Sequence, residues 1–201
     1  IKKGKKAAKI NRDNLIGFAK GNIDQKVAIP MQTPKSTVLQ LYSAYMPIDT
    51  KTEVTLEVAK YILDMIYTKT IREDEGGTYG VGTAMVGQRS PIERAVIQIS
   101  FDTNPEAAPK LIELAVKGLN DLAQNGPTDE QMSKAVENLK KNLPESRISN
   151  SYWMNALDSW YEFGIDADKE YEAALNSITV EDVKKVLQDI LAQGNLVQVV
   201  S

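Results

Sequence analysis

The stretch REDEGGTYGV sets Arg72 and Tyr79 seven positions apart, with the pair Gly76-Gly77 between them. A guanidinium can grip a peptide carbonyl, and a phenol can donate a hydrogen bond to an oxygen that gains negative charge. If Arg72 closes a helix and Tyr79 opens a strand, the tight turn between them presents both side chains toward an extended peptide. The same residues have plainer uses: an arginine complements the dipole at a helix end, and a tyrosine fills a strand face. Spacing alone leaves both readings open. Glu73, Asp74 and Glu75 read as a solvated acidic run beside the helix end.

Other candidate chemistries fail in detail. A phosphate loop needs Lys and then Ser or Thr after its second glycine, yet the correctly spaced Gly82 and Gly87 are followed by Gln88. A dinucleotide fingerprint begun at Gly80 and Gly82 would need a glycine where Met85 stands. The cluster also precedes a strand, whereas phosphate loops open a helix. Asp166, Asp168 and Glu170 are spaced like the start of a calcium loop, but Tyr171 takes the place of the turn glycine and Ser177 that of the bidentate acid. They read better as acids at a helix N-terminus. The helically spaced Trp153 and Trp160 read as core.

Histidine and cysteine are both absent. That excludes a Ser-His-Asp or Cys-His nucleophile, a thiolate zinc site, a disulfide and a histidine pH switch. No serine has a lysine three residues on, and Gly-x-Ser-x-Gly does not occur, so the histidine-free serine motifs are missing too.

Punctuation predicts the elements that must position Arg72 and Tyr79. Residues 36–46 (STVLQLYSAYM) are β-branched, aromatic and apolar and stop at Pro47, as a buried strand does. Thr50 and Glu53 have capping-box spacing, opening a helix through Leu56, Ala59, Leu63 and Ile66 that ends near Arg72. Tyr79, Val81, Thr83 and Met85 alternate with small residues as a strand beginning at Tyr79. After a Gly87–Pro91 turn, Ala95, Ile97, Ile99 and Phe101 mark one face of a second strand. Helices follow: one opened by Asn104-Pro105 and closed by Gly126-Pro127, one from Thr128 and Gln131 to Pro144, an aromatic one stopping at Gly164, and one capped by Thr179. Leu196–Val200 is a terminal strand that must reach back to the early ones. The pattern predicts an α+β fold, a mostly antiparallel sheet with helices packed on one face.

At 201 residues, 42% hydrophobic and 25% charged, the chain reads as one globular domain. Its net charge of −3 is uneven, because eight Lys and Arg side chains in residues 1–26 face only Asp13 and Asp24. This predicts a basic linker or domain edge over 1–26 and a single acidic domain over 27–201. Phe18 is the one aromatic residue beside the arm, too few for a nucleic-acid stacking surface. No apolar run reaches the roughly 18 residues of a membrane span, and no signal-peptide core is visible. The start at Ile1 suggests a piece of something longer.

The run TIREDEGGTYGVG resembles the signature in the C-terminal half of insulinase-type zinc peptidases, the pitrilysin family of inverzincins. The likeness extends to PMQTPKSTV before the helix, a strand ending at Phe101-Asp102, then Asn104-Pro105 and Gly126-Pro127-Thr128, and it covers most of residues 27–200. It looks like a bacterial branch whose long chain carries four homologous domains. The resemblance implies an insulinase-like fold and a peptide chamber enclosed between two halves. Zinc and a catalytic Glu are expected in the N-terminal half of the full-length protein, which would be this chain's partner, with a peptide as substrate. It further implies that Tyr79 donates to the scissile carbonyl, in trans to the zinc domain, while Arg72 and Gly77 help hold the substrate. The family's His-x-x-Glu-His is missing here, so the chain alone is expected neither to bind catalytic zinc nor to hydrolyse peptides. A silent, core-subunit-like relative and a nucleic-acid module using the basic arm are the alternatives. The Arg72/Tyr79 pair weighs against the first and the acidic body against the second. The resemblance favours the periplasm over the cytoplasm.

Overall fold

Alternation along two strands organises the molecule. In the computed structural model, which describes residues 17–28, 30 and 32–201, β2 (Ser36–Tyr45) and β4 (Arg94–Thr103) pair antiparallel over their whole length, Ser36 opposite Thr103 and Tyr45 opposite Arg94. Ala95, Ile97, Ile99 and Phe101 are buried as expected. β3 (Val81–Gln88) pairs antiparallel with β4 and forms one edge of the sheet. β5 (Leu196–Val200) returns to pair antiparallel with β2, and β1 (Asn22–Lys26) adds to β5 in parallel at the other edge. The order is β1-β5-β2-β4-β3.

The sheet thus includes Asn22–Lys26, the last stretch of the expected basic linker or domain edge; residues 1–16 of that stretch lie outside the described residues. Phe18 is engaged with the body, its ring 5.4 Å from that of Tyr45 and 4.8 Å from the Arg94 guanidinium carbon.

The helices cover the face that carries Val38, Tyr42, Ile97 and Ile99. They are α1 (Thr50–Tyr67), α2 (Ala108–Asn125), α3 (Asp129–Ser146), α4 (Asn150–Phe163), α5 (Ala167–Ser177) and α6 (Val180–Leu191). Leu56, Ala59, Ile62 and Leu63 of α1 interlock with Leu111, Ala115 and Leu119 of α2 and Val183, Leu187 and Ile190 of α6 in one core. With roughly 1.5–3 kcal/mol gained per fully buried aliphatic side chain, this cluster is the main source of stability. No helix is long and apolar enough to cross a membrane.

Several boundaries differ from the sequence expectation. Asp49, not Thr50, caps α1, its carboxylate accepting from the Thr52 amide at 2.7 Å, because a carboxylate one residue earlier reaches the free amide better. Glu53 is then free to pair with Arg89 at 2.6 Å. Asn104 accepts from the Ala107 amide, and α2 begins only at Ala108, so Pro109 falls in the first turn, where no intrahelical donor is needed. α3 runs past Pro144 to Ser146. The capping box at Thr128/Gln131 forms as predicted, and Thr179 caps α6 as predicted, with Asp182 completing a second capping box. The largest departure is α4: Trp153, Leu157, Trp160 and Tyr161 are exposed rather than core, since α4 packs mainly against α5.

An ion-pair and hydrogen-bond network clamps the end of α3 and the start of α4 to α5. The Arg147 guanidinium donates to both Asp168 oxygens, at 2.7 and 3.1 Å, and to Glu172 at 2.8 Å, while the Tyr152 hydroxyl donates to Asp168. Hydrogen bonds from Arg147 and then Tyr152 hold the Asp168 carboxyl below its ordinary value. A carboxylate whose pKa is depressed on folding stabilises the fold above its unfolded pKa, and that contribution is lost as pH falls through the folded one. Acidification should therefore loosen this clamp. Tm followed from neutral pH into the carboxylate range should fall more steeply for the wild type than for Asp168→Asn, and equal slopes would show that the clamp carries no such linkage.

Candidate functional site at the helix-to-strand turn

After Tyr67 the helix widens into a π-turn over Thr68–Glu73, where the Asp74 amide donates to the Lys69 carbonyl at 2.9 Å. Wide turns of this kind recur at functional sites because they shift the direction of the side chains they carry. Here Ile71 is 0% exposed and locked into the core, while its neighbour Arg72 faces solvent. Glu73, Asp74 and Glu75 are also exposed, and Glu75 pairs with Lys110. Among the described residues Arg72 enters no ion pair.

The loop that follows is pinned at two points. Gly76 has φ +61°, a conformation that favours glycine. Gly77 passes so close to α2 that a Cβ there would stand 2.9 Å from Leu111 Cδ1, and its carbonyl accepts from the Thr103 hydroxyl at 2.6 Å. Thr78 brackets the far side, its hydroxyl donating to the Gly80 carbonyl at 3.0 Å and accepting from the Gly80 amide at 3.3 Å. Tyr79 sits at the tip between these anchors, 100% exposed. It was expected on the first turn of β3, but that strand begins at Val81. Tyr79 therefore does not fill a strand face.

An open groove of about 780 Å³ is lined by Thr33–Lys35, Arg72, Gly76–Tyr79 and Asp102–Asn104. It brings together the three residues singled out from sequence, Arg72, Gly77 and Tyr79. Arg72 also walls a cleft of about 340 Å³ that runs along Gly80–Thr83 at the start of the edge strand β3. Another part of the main groove's lining was missed. There Asp102 accepts from Lys35 Nζ at 2.7 Å and from the Thr37 hydroxyl at 2.6 Å, and these bonds, Lys35's first, hold its carboxyl below its ordinary value. Only the β2–β4 register, with Thr37 opposite Asp102, puts these groups together.

The groove lining thus offers an unpaired guanidinium, an exposed phenol hydroxyl and a hydrogen-bonded ion pair. That set can grip and polarise a peptide carbonyl, but it contains neither a nucleophile with its base nor a ligand set. Among the described residues no group of three or more carboxylate, imidazole or thiol side chains could hold a metal ion.

Residues 7–139 match the family described as the peptidase M16 inactive domain. No curated protein matches the chain. Among solved structures, the periplasmic protease PqqL from Escherichia coli is similar over 90% of this chain and 20% of its own, with a TM-score of 0.77 and 21% identity. An M16 inactive domain from Pseudomonas fluorescens is similar over 98% of this chain and 46% of its own, with a TM-score of 0.74 and 20% identity. The ferredoxin protease FusC, solved in complex with Arabidopsis ferredoxin, gives 0.75 at 17% identity over 90% of this chain and 20% of its own. The chain therefore spans less than half the length of these three relatives in structure.

Proposed function

The chain belongs to the M16 peptidase family as its inactive domain, and from that premise we propose that it is the substrate-binding C-terminal domain of a longer zinc metallopeptidase. The observation that carries this is the placement of Arg72 and Tyr79 in the lining of one groove, the first exposed beside a buried neighbour and the second fully exposed on a pinned loop. A tyrosine serving only packing has no reason to stand free of every other side chain.

In this reading a peptide lies extended in the groove. Arg72 donates to a substrate backbone carbonyl, and the rigid path of the loop at Gly77 keeps the backbone close. Tyr79 donates its hydroxyl proton in a hydrogen bond to the scissile carbonyl oxygen as negative charge develops there. The zinc ion and its catalytic Glu belong to the N-terminal half of the full-length protein. This chain, without His or Cys, offers no strong zinc ligands, and hydrolysis requires both halves. The similarity to a protease solved with a ferredoxin bound supports a polypeptide as the ligand class.

Arg72 provides the test. Arg72→Lys keeps the charge and loses the planar fork. If the guanidinium grips substrate equally in ground and transition states, the full-length enzyme should show a KM raised several-fold with kcat little changed. An unchanged KM for Arg72→Lys and for Arg72→Ala would remove Arg72 from the substrate site.

A further inference from the structure

Helix α4 carries a surface that the described residues leave uncovered. Tyr152, Ala156 and Ser159 are its half-buried side, and no residue of the helix is buried. At ~100° per residue, Trp160, Trp153, Leu157, Tyr161 and Met154 fall within an arc of about 120° on the other side. Their exposures are 55, 46, 54, 83 and 64%. Phe163 falls on the half-buried side with Ala156 and Tyr152, and Ile148, in the turn before the helix, is 83% exposed. At about 150–250 Å² per large side chain, somewhat more than half exposed, the five side chains of the arc present roughly 600 Å² of largely apolar surface. That lies at the upper end of the largest patch on a typical monomer, where such patches are often functional, and is a large part of the ~800 Å² that each side of a specific interface buries.

The patch is held in place. Trp153 Nε1 donates to the Arg147 carbonyl at 2.8 Å, which satisfies the indole's one donor, and Arg147 is itself clamped to Asp168. On the half-buried side, Phe163 lies 5.6 Å from the Arg89 guanidinium carbon, which ties the end of the helix to the body. A surface fixed by polar anchors and left apolar outward is prepared for contact rather than for solvent.

Charge narrows the occupant. Asp158 and Glu162 run along one edge of the stripe, and residues 150–163 contain no Lys or Arg. In an antiparallel two-fold pairing of α4 with a second copy, the same edge of each helix meets its own counterpart, aligning four carboxylates without a cation. Antiparallel pairing with a second copy is therefore disfavoured.

We propose that the α4 face docks a neighbouring domain of the same polypeptide through an apolar segment edged with Lys or Arg. This rests on the reading of the chain as one domain of a longer peptidase, as in the two proteases of which the matching fold is 20%. In a chain of several domains, the neighbour is tethered beside this face at high effective concentration.

Trp153 and Trp160 are the only two tryptophans of the chain, so in the 201-residue chain their fluorescence reports this face alone. There the emission should be red-shifted and open to acrylamide. In the longer polypeptide, with any other tryptophans replaced by Phe, it should shift to the blue and quench several-fold less. Leu157→Glu and Tyr161→Glu, at exposed positions, should leave the 201-residue chain folded yet restore quenching in the longer polypeptide. Asp158→Lys with Glu162→Lys should do the same by repelling the basic edge. Equal quenching in both contexts overturns the proposal. So does a blue shift in the 201-residue chain that grows with concentration and is accompanied by a dimer mass, which would make a second copy the occupant. Tyr79→Phe should leave the protection intact, so protection that persists while Tyr79→Phe also leaves activity intact would sink the substrate-site reading and spare this one.

Discussion

Replacing Tyr79 with Phe in the full-length enzyme should lower kcat on the order of 10²-fold, with KM little changed. The argument begins with what the substitution leaves alone. The ring is fully exposed at a loop tip, and the anchors of that loop belong to its neighbours, Thr103 on Gly77 and Thr78 on Gly80. Stability and loop shape should therefore survive the loss of one hydroxyl. What is lost is a single donor, whose value rises as the carbonyl oxygen gains charge, so the deficit falls on the chemical step rather than on binding. Transition-state-like inhibitors should lose affinity for the variant by a factor comparable to the loss in kcat, while simple product peptides should not. A folded Tyr79→Phe enzyme with wild-type kcat/KM would sink the functional reading of this turn. Tyr79→Ala adds a check on the ring itself: if the hydroxyl carries the effect, Ala should be little worse than Phe in kcat.

The parts of this fold legible in sequence are those where one period dominates. The alternation Ala95, Ile97, Ile99, Phe101 has a single buried face, and the stripe Val183, Val186, Leu187, Ile190 opens at a capping box, so both elements form where the pattern places them. The α+β class followed from such elements. Tyr79 shows the limit. Its alternation with Val81 and Thr83 continues two residues before the strand begins, and a periodic pattern cannot tell where pairing with β4 gives out. The α4 stripe fails for a related reason: spacing shows that Trp153, Leu157 and Trp160 share a face, but not whether anything within the chain covers it. Lys35 and Asp102 stayed hidden because their meeting depends on the register of two strands some sixty residues apart. The wide turn at Thr68–Glu73 left no sequence signal at all, yet it carries Arg72.

That turn makes Ile71 the second critical position. Ile71→Ala removes three buried carbons from a side chain with no exposure, next to a residue proposed to hold substrate. The transfer and cavity costs together should destabilise the 201-residue chain by about 2–5 kcal/mol in urea unfolding, against about 0.5–1.5 for Ile71→Val. Ile97→Ala, in the middle of β4 and equally buried, should cost a similar amount. The two variants should part in the full-length enzyme. With Ile71 truncated, the π-turn loses the anchor that fixes its rotation, and Arg72, one residue on, samples directions that miss the groove. KM should rise several-fold for Ile71→Ala, as for Arg72→Lys, while Ile97→Ala leaves the KM of its folded fraction unchanged. Ile71→Val, which keeps most of the anchor, should restore most of the affinity. If Ile71→Ala and Ile97→Ala give the same KM, the packing of Ile71 serves stability alone, and the direction of Arg72 is set by the loop after it.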